Sequence, residues 1–434
     1  MKENMRNVWR PGMALPPEKQ AMMERRSRLL GPAYRLFYEE PLHIVRGEGV
    51  FLYDEHGSAY LDAYNNVPSV GHCHPHVVAA IAKQAATLNT HTRYLHSLIL
   101  DYSERLLATM PAALGHMMYT CTGSEANDLA FRIARAHTGH SGVIVTRFAY
   151  HGVTERVTRF SPCLGEGVEP GPEVVWVDAP RSTKDTADVG LDFAASVQAG
   201  IDALHARGQG VAALLVDTAF TSDGNFVNPP GFLQAAVDTV HRAGGLFIAD
   251  EVQPGFGRTG SHLWCFARHG LVPDIVTLGK PMGNGHPLAG LAIRPEVLTA
   301  FANQVRYFNT FGGNPVSCAA GMAVLDVIEG EGLMHNALEV GAALERDFST
   351  LAAQHPCIRD IRAAGLCFSV EIQGEKGPDA ERAARIVNGL RARRILISLS
   401  GPDQSVLKIR PPLCFSRENA ATLIEAIEPL LGET

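Results

Sequence analysis

Nowhere in this 434-residue sequence does an uncharged apolar run approach the roughly 18 residues that cross a bilayer, so no membrane-spanning helix is expected. The N-terminal MKENMRNVWRPGMALPPEKQ carries charges but no apolar core, which predicts no secretory signal. Positive charge is in short supply: 38 Lys+Arg face 45 Asp+Glu, a net charge of -7. That argues against nucleic-acid binding through a general basic field and leaves room for a local cationic pocket. The 8 cysteines (Cys73, Cys121, Cys163, Cys265, Cys318, Cys357, Cys367, Cys414) include no CxxC pair. They read as thiols of a reducing compartment. Internal repeats and low-complexity tracts are lacking too. These absences point to a cytoplasmic protein with neither membrane nor nucleic acid as partner.

What is present is a globular composition, with 46% hydrophobic and 19% charged residues and 42 Gly and 26 Pro spread along the chain. The length suits roughly two to three domains of 100–200 residues. Residues 17–30 predict a charged helix stopped by Gly31-Pro32. After it, HIVRGEGVFLYDEHGSAYLDAYNN has short β-type runs broken by Gly47, Gly49 and the Glu55–Ser58 turn, as in an antiparallel meander. From about residue 76, helices alternate with apolar runs at Val143–Val145, Val174–Val177, Leu214–Val216, Leu246–Ala249, Ile275–Leu278 and Leu291–Ile293. These runs are continuously apolar, as in strands covered on both faces. Helices are expected between several of them, including Asn127–His137 and Phe232–Arg242, and the sheet should therefore be mainly parallel. Beyond Pro315 a long helical run precedes strands at Ile361–Gln373 and Leu396–Leu399 around a helix at 379–394. A last helix follows Ser416 as N-cap, with Glu418 in its first turn. The expected division is an N-terminal segment 1–70 belonging to a small domain, a large α/β domain 71–315, and a small α+β domain 316–434.

Chemistry concentrates where strands end. The run LFIADEVQ ends a strand in Asp250, and DIVTLG ends another just before Lys280 and the loop PMGNGHP. Ligands gather at the C-terminal ends of such strands. A Lys and an Asp there suit pyridoxal phosphate: Lys forms the Schiff base, and Asp pairs with the pyridinium nitrogen. Taken alone, Lys280 reads as well as a solvated strand-end charge. TCTGSEAN (Thr120–Asn127) adds a Gly/Ser turn opening into a helix, an anion site at a helix N-terminus, although Ser124 by itself could be a simple cap. Tyr150 in FAYHG follows a strand and offers an aromatic face to a cofactor ring, or else packs in the core. Two other patterns are set aside. Gly255-Phe-Gly-Arg-Thr-Gly260 fits G-x-G-x-x-G but is preceded by Pro254 and followed by no clear amphipathic helix. His72-Cys-His-Pro-His76 crowds ligands too closely for one tetrahedral site, so no metal is expected.

In order, GSEAN, AYHG, ADEVQPGFGRTG, TLGKPMGNGHPLAG and NTFGGNPVSCAA resemble the class III aminotransferases over about residues 30–430. The resemblance implies an α/β protein of the pyridoxal-phosphate-dependent transferase fold type I, aspartate-aminotransferase-like. A large, mainly parallel-sheet domain would then sit beside a small α+β domain. It also implies residue roles. Gly123 and Ser124 would hold the cofactor phosphate, Tyr150 would stack on the ring, and Val252 would pack below it. Asp250 would bind the ring nitrogen and Gln253 the ring hydroxyl, while Lys280 would carry the Schiff base. Thr310 would reach the cofactor phosphate of the neighbouring subunit, giving a homodimer with shared active sites.

One departure narrows the reaction. Many class III transaminases carry a Glu-Pro-x-x-x-Glu-Gly segment whose second Glu pairs with a C-terminal Arg. Here DTAFTSDG places Ser222 at that Glu, with Asp223 next door, and LKIRPP places Lys408 at the Arg, with Arg410 nearby. NNVPSVGHCHP, LNTHTRYLH and KIRPPLCF resemble instead the ethanolamine-phosphate and phosphohydroxylysine phospho-lyases. Arg93, Lys408 and Arg410 are candidates for a substrate phosphate, because cations without a gate carboxylate suit a dianion. Arg93 could equally be structural and Lys408 merely solvated. The expected function is a phospho-lyase eliminating phosphate and ammonia from a phosphorylated amine. O-phosphoethanolamine is the first candidate, ahead of phosphohydroxylysine or an aminophosphonate. The alternative is an omega-amine:oxo-acid transaminase. A non-enzymatic cofactor-binding protein ranks last, since Lys280 and Asp250 are both intact.

Overall fold

A computed structural model of the chain describes residues 7–10, 12–181 and 188–432. Residues 1–6 of the stretch read for a secretory signal lie outside the described residues. The core is a 7-stranded sheet. Its order is His116–Thr120, Ala289–Ile293, Ile275–Leu278, Leu246–Asp250, Val211–Asp217, Gly142–Thr146, Val174–Val177. All neighbours run parallel except Ala289–Ile293, which is antiparallel to both strands beside it. The short return from Leu278 through the glycine-rich loop leaves no room for a crossover helix, so this strand turns straight back on its predecessor. The mainly parallel sheet is thus as expected. The strand His116–Thr120 was not, because HMMYT lacks the β-branched run that marks the others.

The sheet is covered by helices, as its apolar strands demand. The helix Gly123–Thr138 begins with a capping box between Thr122 and Glu125 and ends at Gly139, whose φ of 70° stops it. It buries Ala126, Leu129, Ala130, Phe131 and Ile133 against the sheet. Each large apolar side chain among them contributes about 1.5–3 kcal/mol of burial. This packing fixes the helix N-terminus beside the strand ends.

Two smaller sheets flank the core. The meander Ile44–Glu48, Phe51–Asp54, Ala59–Asp62 is extended by Ile395–Leu396 from the far end of the chain, in parallel with Ala59–Asp62. A further sheet joins Ile358–Ala364, Cys367–Gly374, Val406–Ile409 and Ser398–Ser400. The single strand expected at Ile361–Gln373 is therefore a hairpin. It turns at Gly365, where φ is +55° and a Cβ would lie 2.6 Å from the Thr259 backbone. The charged helix Pro17–Leu30 and the Ser416-capped helix Arg417–Leu431 form as the sequence predicts.

Neither set-aside pattern forms a centre. The rings of His72, His74 and His76 face three different carboxylates, those of Asp62 (2.7 Å), Glu331 (3.0 Å) and Asp326 (2.9 Å). The Gly255–Gly260 segment is a run of turns rather than the start of a helix. No helix among the described residues is long and apolar enough to cross a membrane.

Candidate active site

Neighbouring strands bring Asp217, Asp250 and Thr277 into one row at their C-terminal ends. Asp250 is buried at 3% exposure. Its Oδ1 accepts the Val252 N–H (3.0 Å), and its Oδ2 accepts Asn127 Nδ2 (2.9 Å) and lies 2.7 Å from His151 Nδ1. Asn127 is itself fixed, accepting from Thr277 Oγ1 (2.7 Å) and donating to the His151 carbonyl (2.8 Å). A carboxylate with this many donors is held in one orientation.

Lys280 begins a short 3₁₀ turn with φ +36°, a left-handed value uncommon outside glycine and a mark of backbone held for function. Its Nζ lies 5.7 Å from the centre of the Tyr150 ring. Burial lowers its pKa below the ordinary lysine value, the Asp250 charge opposes that shift, and Arg410 adds to it. An amine so placed is more readily a nucleophile or base than a surface lysine.

Gly123, Ser124, Tyr150, Asp250, Val252, Gln253 and Lys280 line one pocket of about 150 Å³. A Cβ on Gly123 would come within 3.0 Å of the Val252 side chain, so the helix N-terminus approaches this closely only as glycine. Sequence reasoning missed Asn127 as a support, and His151 and Asp217 as pocket lining. Asp217 carried a usable signal: its strand ends in a carboxylate just as the strand of Asp250 does. Burial and the charge of Asp250 push its pKa up, and it accepts from the N–H groups of Ala219 and Thr221 (3.0 and 3.1 Å) and the Thr221 hydroxyl.

Lys408 and Arg410 reach the same region from the strand Val406–Ile409 and the residue just past its end, and both are buried. Arg410 donates to Gln253 Oε1, and its Nε is buried with no partner. Lys408 lines a cavity of about 730 Å³ together with Tyr150, Tyr64, Arg35 and Ser222. Burial, reinforced by Arg410, lowers its pKa, and Asp217 opposes the change. A third cation, Arg258, is buried beside them, donates to the Pro411 carbonyl and is lowered by burial to about 10. Ser222, the residue expected at the gate position, lines the same cavity as Lys408. Asp223 turns elsewhere, accepting Thr146 Oγ1 (2.8 Å) and the Phe148 N–H (3.2 Å).

Two expected site residues lie apart from this pocket. Arg93 is exposed, with its guanidinium 3.8 Å over the Phe308 ring, and Thr310 is exposed two residues further along that segment. Next to them in sequence, Tyr94, Leu95 and Phe311 are 67%, 100% and 68% exposed.

A strand-end Asp, a half-buried Lys, an aromatic ring and a helix N-terminus lining one pocket are the parts of a pyridoxal-phosphate enzyme of fold type I. The sequence profile of the family described as aminotransferase class-III matches residues 37–431, and the chain belongs to that family. It is 43% identical over 419 residues to a Drosophila melanogaster protein named alanine–glyoxylate aminotransferase 2-like, covering 93% of this chain and 85% of the relative. A Caenorhabditis elegans protein named ethanolamine-phosphate phospho-lyase homolog 1 is 36% identical, covering 95% of this chain and 93% of the relative. Among solved structures, an Arthrobacter phospholyase in complex with phosphoethanolamine superposes with a TM-score of 0.92. Its identity is 41%, and the match covers 95% of this chain and 100% of that one. The protein is accordingly a pyridoxal-phosphate-dependent enzyme.

Proposed function

We propose that the protein is a phospho-lyase that removes phosphate and ammonia from a phosphorylated amine, with O-phosphoethanolamine as substrate. With water, the products are acetaldehyde, ammonia and inorganic phosphate. The observation that carries this reading is that buried Lys408, two residues from buried Arg410, lines one cavity with Ser222, the residue expected at the gate position. A dianionic phosphate suits such cations, whereas an internal Glu would neutralise them.

The bound cofactor supplies an electron sink for the carbon that carries the amine. Gly123 and Ser124 would hold its phosphate, Tyr150 and Val252 its two faces, Asp250 its ring nitrogen and Gln253 its ring hydroxyl. Lys280, its pKa lowered by burial, takes the proton from the amine-bearing carbon. Lys408 and Arg410 then receive the phosphate as the carbon–oxygen bond breaks, so elimination outruns return of the proton. Arg410 also ties this movement to the cofactor through Gln253.

Arg93 and Thr310 serve the partner's pocket in this reading, in a homodimer with shared active sites. Both are exposed, and neither is among the residues lining their own chain's pocket, which supports it. A cytoplasmic location is part of the same reading, supported by eight cysteines that are all free thiols.

A transaminase remains the second reading, favoured by the name of the Drosophila relative. Lys408→Ala and Arg410→Ala test the phosphate site on which the first reading rests. The phospho-lyase reading expects each to slow phosphate release from O-phosphoethanolamine at least about tenfold, the scale of one charge-assisted contact. Unchanged phosphate release in both variants would remove the phosphate-site assignment.

A further inference from the structure

Asp223 is a buried carboxylate, 5% exposed, and forms no ion pair among the described residues. Leaving a carboxylate in such a place without a cation is costly, so what it holds matters. Its Oδ2 accepts Thr146 Oγ1 (2.8 Å), at the last residue of the strand Gly142–Thr146. Its Oδ1 accepts the N–H of Phe148 (3.2 Å), two residues before Tyr150.

The segment from Phe148 to Gly152 carries both Tyr150, which faces Lys280, and His151, which holds Asp250. Downstream it is pinned by Ser161 Oγ, which accepts from the N–H groups of His151 and Gly152 (2.9 and 3.0 Å). Upstream, the Phe148 N–H has Asp223 as its acceptor, on a turn from a different strand. The segment is thus clamped at both ends, and the Tyr150 ring hangs between the clamps.

We propose that Asp223 is a positioning residue for Tyr150: its carboxylate fixes the root of the segment and so sets the ring against the bound cofactor. The inference concerns cofactor binding, and it stands or falls independently of whether the reaction is elimination or transamination.

The test titrates apo protein with pyridoxal phosphate. Asp223→Ala is expected to weaken cofactor affinity at least about tenfold, and Asp223→Asn, which keeps one acceptor oxygen, by much less. In a Tyr150→Ala background, Asp223→Ala should cost less than about twofold, because the ring it positions is gone. Should Asp223→Ala fail to fold, Thr146→Val removes one of the two donors while preserving shape. It is expected to weaken affinity several-fold, again only when Tyr150 is present. Equal losses in both backgrounds overturn the proposal. So does a lowered melting temperature of the apo protein with unchanged cofactor affinity, since Asp223 would then support only the fold.

Discussion

His151 Nδ1 lies 2.7 Å from Asp250 Oδ2, and the His151 side chain is sealed from solvent. The ring therefore donates to a carboxylate whose charge the cofactor chemistry needs. Replacing His151 with Phe keeps the volume and removes the donor. Turnover is expected to fall about 10–100-fold, the equivalent of a 1.5–3 kcal/mol charge-assisted hydrogen bond. Asp250→Asn, which removes the charge itself, should cost more. Steady-state kinetics on the two variants check the order, and a His151→Phe enzyme as active as the parent would deny the support role.

Among the described residues, Lys280 is the only lysine lining the cofactor pocket. Borohydride reduction of the holoenzyme should fix the cofactor to the peptide that contains it. Lys280→Ala should bind cofactor without that covalent link. Peptide mass mapping reads both results.

Thr310 and Lys280 should complement each other between subunits. A chain with Thr310→Ala mixed with a chain carrying Lys280→Ala forms heterodimers in which one shared site is built from the intact contributions. Part of the activity should return in them. No recovery in proven heterodimers would mean that each chain completes its own site.

His269 gives a stability prediction independent of chemistry. Its Nδ1 accepts the Gly231 N–H (3.2 Å), and its Nε2 faces the Thr218 carbonyl (3.2 Å), which fixes the neutral ring. Burial lowers its pKa from 6.5 to about 4. A base depressed in this way stabilises the fold fully above the ordinary value of 6.5, and that contribution drains away as pH falls towards 4. The whole contribution is about 3 kcal/mol at 1.36 kcal/mol per pKa unit. Urea midpoints should show a gap between the parent and His269→Gln at pH 7 that narrows by pH 4.5. A gap independent of pH would contradict the sign.

Much of this site was legible because its parts are local. Asp250 and Lys280 each close an apolar run, and Gly123–Ser124 opens an amphipathic helix, so period and punctuation alone mark them. Asn127 and His151 were quoted within motifs but their task was hidden, because it consists of contacts to Asp250 across 123 and 99 residues of chain. Asp223, beside Ser222 in the chain, has a task equally hidden from the sequence, since it accepts from Thr146 and Phe148. In the fold, the missed strand His116–Thr120 and the hairpin at Gly365 share a cause. Strand partners and turns were set there by tertiary contacts rather than by propensity.

The most direct test incubates purified holoenzyme with O-phosphoethanolamine and no keto acid, and follows phosphate, ammonia and acetaldehyde together. The account predicts all three in equal amounts over many turnovers, with no increase when pyruvate or glyoxylate is added. Absence of phosphate, with stoichiometric transfer of the amine to an added keto acid, would contradict it and make the enzyme a transaminase.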